Sequence, residues 1–246
     1  MSRPSRAVLV AGGTHPGGVA GLAADLETLR ALGAAARLVV TVVTAQPPRG
    51  AARIGATPPA LLRAQLDAAR AHGPLAAVKI GLVATPAGAR ALAAWLRERR
   101  VRRVVFDPVL VSSGGARLAS PAVARLLFPA AGLITPNIPE AEALSGLRIR
   151  TRAEVERAAR RLRALGARAV LVKGGHLAAA PGWDYFFDGR TSLWLGGRHL
   201  AGLRPRGTGC RLASAIAVHW GAGCELPEAI RRARRFVRAL LAKRRA

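Results

Sequence analysis

Short aliphatic runs alternate with longer segments rich in alanine, leucine and arginine, and this alternation narrows the possible folds more than any other feature of the chain. Runs at Ala7–Ala11, Arg37–Val43, Ala77–Leu82, Val101–Phe106, Gly132–Ile134 and Ala169–Val172 read as strands, followed by Trp183–Phe187 and Ser192–Leu195. The intervening segments read as helices near Gly21–Leu32, Pro59–Ala71, Thr85–Arg100, Ser120–Phe128, Pro139–Leu144, Arg152–Leu165, Cys210–Trp220 and Leu226–Ala242. Strands alternating with helices of this length predict an α/β fold, with a mostly parallel sheet covered on both faces. Asp188-Gly189 predicts a hairpin between the last two strands. Because 246 residues without a linker, repeat or composition break suit one large α/β domain, a single domain spanning 1–246 is expected.

Composition excludes several classes. Hydrophobic residues at 51% exclude a disordered chain. Two cysteines, Cys210 and Cys224, cannot form a disulfide framework, which favours a reducing cytoplasm. The basic start Met1–Arg6 leads into an apolar run too short for a signal peptide, and charges such as Lys79 and Arg90 interrupt the later apolar stretches. A soluble protein with no membrane partner is expected. The net charge of +26 invites a nucleic-acid reading, but aromatics are only 4% and are not interleaved with the basic residues, so nucleic acid is the weaker reading. The densest basic run, from Arg231 to Arg245, reads as the polar face of a C-terminal helix whose apolar stripe is Ile230, Phe236, Val237, Leu240 and Leu241. A homodimer is left open.

In open α/β sheets ligands sit beyond the carboxyl ends of the strands, so the residues just after each strand carry the functional signal. Gly12-Gly13-Thr14-His15-Pro16-Gly17-Gly18 follows the first strand and is neither a dinucleotide fingerprint nor a P-loop. It reads as a flexible turn or as a backbone-lined pocket. Arg206-Gly207-Thr208-Gly209-Cys210 stands directly before a helix, where converging N–H groups and the helix dipole make an anion hole. A cysteine at a helix start is expected to have a lowered pKa and to serve as base or nucleophile; the alternative is a small cysteine in a tight turn. Lys173-Gly174-Gly175-His176 could bring a cation near phosphate. Asp107-Pro108-Val109 and Thr135-Pro136-Asn137-Ile138-Pro139-Glu140 complete the strand ends. Asn137 and Glu140 could organise hydrated Mg²⁺ beside phosphates, or Glu140 could close a capping box.

These residues, in this order, resemble the ribokinase-like hydroxymethylpyrimidine/phosphomethylpyrimidine kinases of thiamine biosynthesis, over about Val8 to Val237. The resemblance is carried by Ala20-Gly21 with Ala24-Asp25, Thr44-Ala45-Gln46, Lys79-Ile80-Gly81, the Asp107 and Asn137 motifs, Lys173–His176 and Gly207–Cys210. It implies a three-layer α/β/α kinase that phosphorylates 4-amino-5-hydroxymethyl-2-methylpyrimidine with ATP and Mg²⁺, and in many members the monophosphate as well. On matching positions it implies a pyrimidine pocket of Gly13, Ala20, Asp25, Gln46, Leu82 and Val109. Asn137, Lys173, Gly207 and Gly209 would meet the nucleotide, Glu140 and Asp107 the metal. Cys210 would stand in the place of the aspartate base of sugar kinases, with Gly207, Thr208 and Gly209 supplying backbone donors. The chain departs from the family at His15, at Val19, at Arg206 and Arg211 around the anion hole, and at Ser112-Ser113-Gly114. Two other functions fit the same residues, a pyridoxal-type kinase and a weakly catalytic regulator that binds a pyrimidine or nucleic acid.

Overall fold

The computed structural model describes residues 7–47, 53–112, 114–175, 182–196 and 207–243. Within them the chain runs β1 (Ala7–Gly13), α1 (Gly21–Ala31), β2 (Ala36–Ala45), β3 (Arg53–Ala56), α2 (Pro59–Ala71), β4 (Leu75–Ile80) and α3 (Pro86–Glu98). It continues β5 (Val104–Phe106), α4 (Pro121–Arg125), β6 (Leu133–Ile134), α5 (Ile138–Ser145), α6 (Arg152–Ala164), β7 (Val170–Val172), β8 (Asp184–Phe187), β9 (Ser192–Leu195), α7 (Thr208–Gly221) and α8 (Leu226–Lys243). The described strands form one sheet in the order β3-β2-β1-β4-β5-β6-β7-β8-β9. From β2 to β7 neighbouring strands are parallel, while β3, β8 and β9 add antiparallel edges.

The two-residue period of a strand sends its side chains to two separate cores. On β1, Leu9 and Ala11 enter a core with α2, α3, α5 and α6, whereas Val8 and Val10 enter a second core with α1, α7 and α8. Three layers result, as the sequence predicts. On α8, Ile230, Ala233 and Val237 are buried, while Arg231, Arg232 and Arg235 converge on Glu228 at the surface. Arg231, Arg232 and Arg235 of the densest basic run therefore stand on the polar face of an amphipathic helix, as expected, whereas Arg234 turns inward and Arg244 and Arg245 lie outside the described residues.

Most departures from the predicted elements are at boundaries. The helix expected over Ser120–Phe128 stops at Arg125, and a separate 3-10 turn spans Phe128–Ala130 around Pro129, whose ring nitrogen has no N–H to donate. The sequence predicts no strand at β3, because Arg53–Ala56 is exposed along its whole length and carries no buried face to create a pattern. The extra strand pairs antiparallel with the end of β2. His176 and Arg206 lie outside the described residues.

The strand order sets the position of the site. From β1 the chain moves to β2 on one side and later crosses back to β4 on the other, so the order reverses between β1 and β4. At such a reversal the connections diverge and leave a crevice at the carboxyl ends of the strands.

Candidate active site

Two helix starts meet at this crevice. Gly207 caps α7 in the left-handed region, φ 78°, and a Cβ there would overlap the Val19 carbonyl. Gly21 opens α1 with φ 59°, where a Cβ would overlap the carbonyl of Gly13. Glycine is required at both positions, since another residue would be strained and would push the α7 start from the α1 start at 207, or α1 from β1 at 21. Cys210 lies between them, its sulfur accepting the Gly21 N–H. The thiol does not behave as its helix-start position predicts. Burial pushes it up to about 11, against the Lys79 ammonium, and Asp25 and Asp107 add to the rise. Removal from water outweighs the helix dipole here, so the expected low-pKa thiolate is corrected to a neutral thiol.

Behind this junction are two buried lysine–aspartate pairs. Lys79 follows Ala77 on the α1/α7 face of β4, and its Nζ lies 2.7 Å from Asp25 Oδ2 with both side chains at or below 1% exposure. Ser214 Oγ on α7 donates to Asp25 Oδ1 at 2.8 Å. Asp25, expected as a polar contact of the pyrimidine, is instead enclosed and joins α1, β4 and α7. Burial raises its carboxyl above the usual range despite Lys79.

The second pair is Lys173 Nζ to Asp107 Oδ1, also 2.7 Å, with Thr135 Oγ1 donating to the same oxygen at 3.1 Å. Burial alone would raise the Asp107 carboxyl, but the ammoniums of Lys173 and Lys79 hold it below the ordinary range. A Cβ at Gly209 would stand 3.0 Å from Lys173 Nζ and 3.5 Å from Asp107 Oδ2, so this glycine lets the α7 start approach the pair closely. The cation and the helix start, far apart in sequence, thus face one another.

Asn137 and Glu140 form a complete capping box. The Asn137 N–H donates to Glu140 Oε2 at 2.8 Å, and the Glu140 N–H donates to Asn137 Oδ1 at 2.9 Å. Burial pushes the Glu140 carboxyl up to about 7, with Lys173 opposing and Asp107 reinforcing the rise. Among the described residues no three His, Cys, Asp or Glu side chains gather as a metal cage. A donor set of Asp107 and Glu140 fits Mg²⁺ only if phosphate oxygens and waters complete its shell, which is how this ion is commonly held.

The remaining predicted pocket residues lie among these elements or in the neighbouring loops. Leu82 is buried against Gly13, where a Cβ would stand 3.3 Å from its methyl, and Val109 is half-buried beside the Asp107 turn. Ala20 is the residue before α1. Gln46 Nε2 donates to Thr44 Oγ1 at 3.0 Å, and Thr44 in turn holds Thr14. Gln46 lines an open cleft with His15, Pro16, Gly17, Val19, Ala45 and Pro47. His15 is occupied locally, its Nδ1 accepting the Gly17 N–H at 3.1 Å.

Arg211, expected to flank the anion hole, turns away from it. Its side chain is 7% exposed and reaches Glu27 Oε2 at 2.7 Å on α1. The sequence assigns no individual role to Lys79, Ser214 or Thr135. Lys79 and Thr135 leave a signal, the one as a charge inside an otherwise apolar strand and the other at the head of a strand-end motif, whereas Ser214 leaves none.

The phosphomethylpyrimidine kinase family model matches residues 15–246. The chain belongs to this family. It is 44% identical over 242 residues to a thiamine biosynthesis bifunctional protein of Geobacter sulfurreducens, covering 97% of this chain and 49% of that one. It thus spans about half of that relative. With the hydroxymethylpyrimidine/phosphomethylpyrimidine kinase of Rhizobium meliloti it is 40% identical, covering 93% of this chain and 88% of that one. Among solved structures it resembles a Clostridium difficile phosphomethylpyrimidine kinase, with TM-score 0.83, 29% identity and coverage of 96% and 99%. It also resembles a Bacillus subtilis pyridoxal kinase solved with ADP, with TM-score 0.85, 29% identity and coverage of 94% and 89%.

Proposed function

We propose that this kinase transfers the γ-phosphoryl group of ATP to the hydroxymethyl oxygen of 4-amino-5-hydroxymethyl-2-methylpyrimidine. The observation that supports this reading is the approach of Lys173 to the α7 start at Gly209, a cation facing a helix N-terminus, which is an arrangement suited to the charge of a transferred phosphoryl. Phosphoryl transfer proceeds through a loose transition state and depends mainly on such positioning, so it asks little of a base. Cys210, neutral at pH 7, serves to align the hydroxyl between the two helix starts, and the hydroxyl proton leaves to phosphate or solvent. Gln46, Leu82, Gly13 and Val109 hold the ring, with Asp25 fixing α1 behind them. Asp107 and Glu140 would hold Mg²⁺ beside the phosphates, and the ion would neutralise their charge. The two free thiols suit a cytoplasmic setting, and among the described residues no helix is long and apolar enough to cross a membrane.

The pyridoxal kinase neighbours favour a second reading, that the same crevice takes a pyridoxal-type alcohol. One assay separates the two: ADP release with the pyrimidine alcohol, its monophosphate and pyridoxal offered separately. Turnover of the pyrimidine alcohol at the highest kcat/KM is expected. Turnover of pyridoxal alone would replace the first reading with the second, and release with none of the three would overturn both.

A further inference from the structure

The Lys173 turn is fastened on its far side by a buried ion pair that the transfer reaction does not itself use. Gly174 donates its N–H to Asp184 Oδ1 at 2.9 Å. A Cβ on Gly174 would overlap the Trp183 carbonyl, so the turn and the start of β8 meet backbone to backbone. The other oxygen of Asp184, Oδ2, lies 3.2 Å from Arg234 Nε on α8, with the two side chains only 13% and 11% exposed. The same guanidinium donates through Nη2 to the Gly182 carbonyl at 3.0 Å and through Nη1 to the carbonyl of Leu195. Asp184 pairs with Leu195, and Tyr185 with Val172, so all three acceptors stand at the end of the β8–β9 hairpin that adjoins Lys173.

Arg234 differs in this from its neighbours on α8. Arg231, Arg232 and Arg235 lie on the solvent side around Glu228, whereas Arg234 turns inward and joins both strands of the hairpin. A planar guanidinium can bond three acceptors in a fixed fork, which the single ammonium of lysine cannot reproduce. On its other side the Lys173 turn is held by the Lys173 N–H to the Pro136 carbonyl at 2.8 Å and by the Lys173 ammonium on Asp107. Among the described residues the Asp184 contact is what ties the Gly174 end of the turn to the hairpin.

We propose that Arg234 and Asp184 are a positioning pair for the nucleotide, fixing the Lys173–Gly174 turn so that the Lys173 ammonium stays against the start of α7. The inference rests on the reading of Lys173 and the Gly207–Cys210 backbone as the phosphate site. Neither residue of the pair touches the reacting atoms; they act through Gly174. Their loss should therefore affect ATP and spare the pyrimidine.

The test compares wild type with Arg234→Lys, Arg234→Met, Asp184→Asn and the Arg234→Met/Asp184→Asn double variant. ATP affinity is measured by calorimetry, KM and kcat for both substrates by ADP release, and folding by thermal melting. Since small misplacements of a positioning group cost up to about a hundredfold, Arg234→Met should weaken ATP binding and raise its KM roughly tenfold or more, with the KM of the alcohol within about twofold. Arg234→Lys should recover only part of the loss. Asp184→Asn retains an acceptor for Gly174, so its loss should be smaller, about threefold, and the double variant should be no worse than Arg234→Met. A folded Arg234→Met protein that binds ATP as wild type does, or that loses both substrates equally, would overturn the inference. If Arg234→Met does not fold, an unchanged ATP KM in Asp184→Asn overturns it instead. Wild-type protein that binds no ATP would defeat the underlying reading of the site and this inference with it.

Discussion

Lys79 and Lys173 each stand at the end of a parallel strand, 2.7 Å from an aspartate, yet their surroundings differ. Lys79 and Asp25 are at most 1% exposed and are sealed between β4, α1 and α7. Lys173 is 14% exposed and faces the glycine-lined start of α7. Both ammoniums are held above their ordinary pKa by the neighbouring carboxylate despite burial, so both are charged at neutral pH. Access separates the two roles. A sealed cation can only offset the charge beside it, whereas a cation with an open side can also meet an incoming phosphate.

Four substitutions probe that division. The largest effect is expected from Lys79→Met, which leaves Asp25 buried without its counter-charge and should cost about 3–5 kcal/mol in urea unfolding. A Lys79→Met protein as stable as wild type would remove the contrast between the pairs. Next, Lys173→Met should lower kcat about 10²–10³-fold, the range seen when one charge-stabilising donor is lost. Its melting temperature should fall less than that of Lys79→Met, and the reverse order would exchange the two roles.

Glu140 sharpens the comparison through pH. Its folded pKa of about 7 lies above the ordinary 4.5, so its contribution to stability is fully present below pH 4.5 and is lost as pH rises through about 7. Melting temperatures measured from pH 5 to 8 should show that decline in wild type and a flatter profile in Glu140→Gln, and parallel profiles would remove Glu140 as its source. The smallest effect belongs to Arg211→Thr. It loses the pair to Glu27, which is 60% exposed, and a 3.5 Å bond to the Ala24 carbonyl, so stability should fall by about 1 kcal/mol while the KM for ATP stays unchanged. A several-fold rise in that KM would return Arg211 to the anion hole.

Elements with one buried face were legible in the sequence. α2 runs over Pro59–Ala71 and β9 over Ser192–Leu195, both at their predicted limits, because apolar periodicity and flanking prolines or turns are local signals. β3 has no buried face and left no such signal. In the site, the glycines at 207 and 209 and the Asn137/Glu140 pair were legible as motifs. The closed capping box decided only the local part of the Glu140 question, since the same carboxyl also lies in the field of Lys173 and Asp107.

The sequence by itself determined the alternation of strands and helices, the single sheet and the placement of Gly, Asp, Asn and Lys at strand ends, because all of these follow from residue spacing along one chain. Only the tertiary structure decided how those residues pair. Asp25 and Lys79 are 54 positions apart, Asp107 and Lys173 are 66, and Arg211 and Glu27 are 184. Nothing in local spacing distinguishes a lysine that will be sealed from one that will be open. Nor does it reveal that burial, rather than the helix dipole, sets the Cys210 thiol. Charge pairing and desolvation depend on distance and dielectric in three dimensions, and those are fixed only when α1, α7 and the strand ends close around the same crevice.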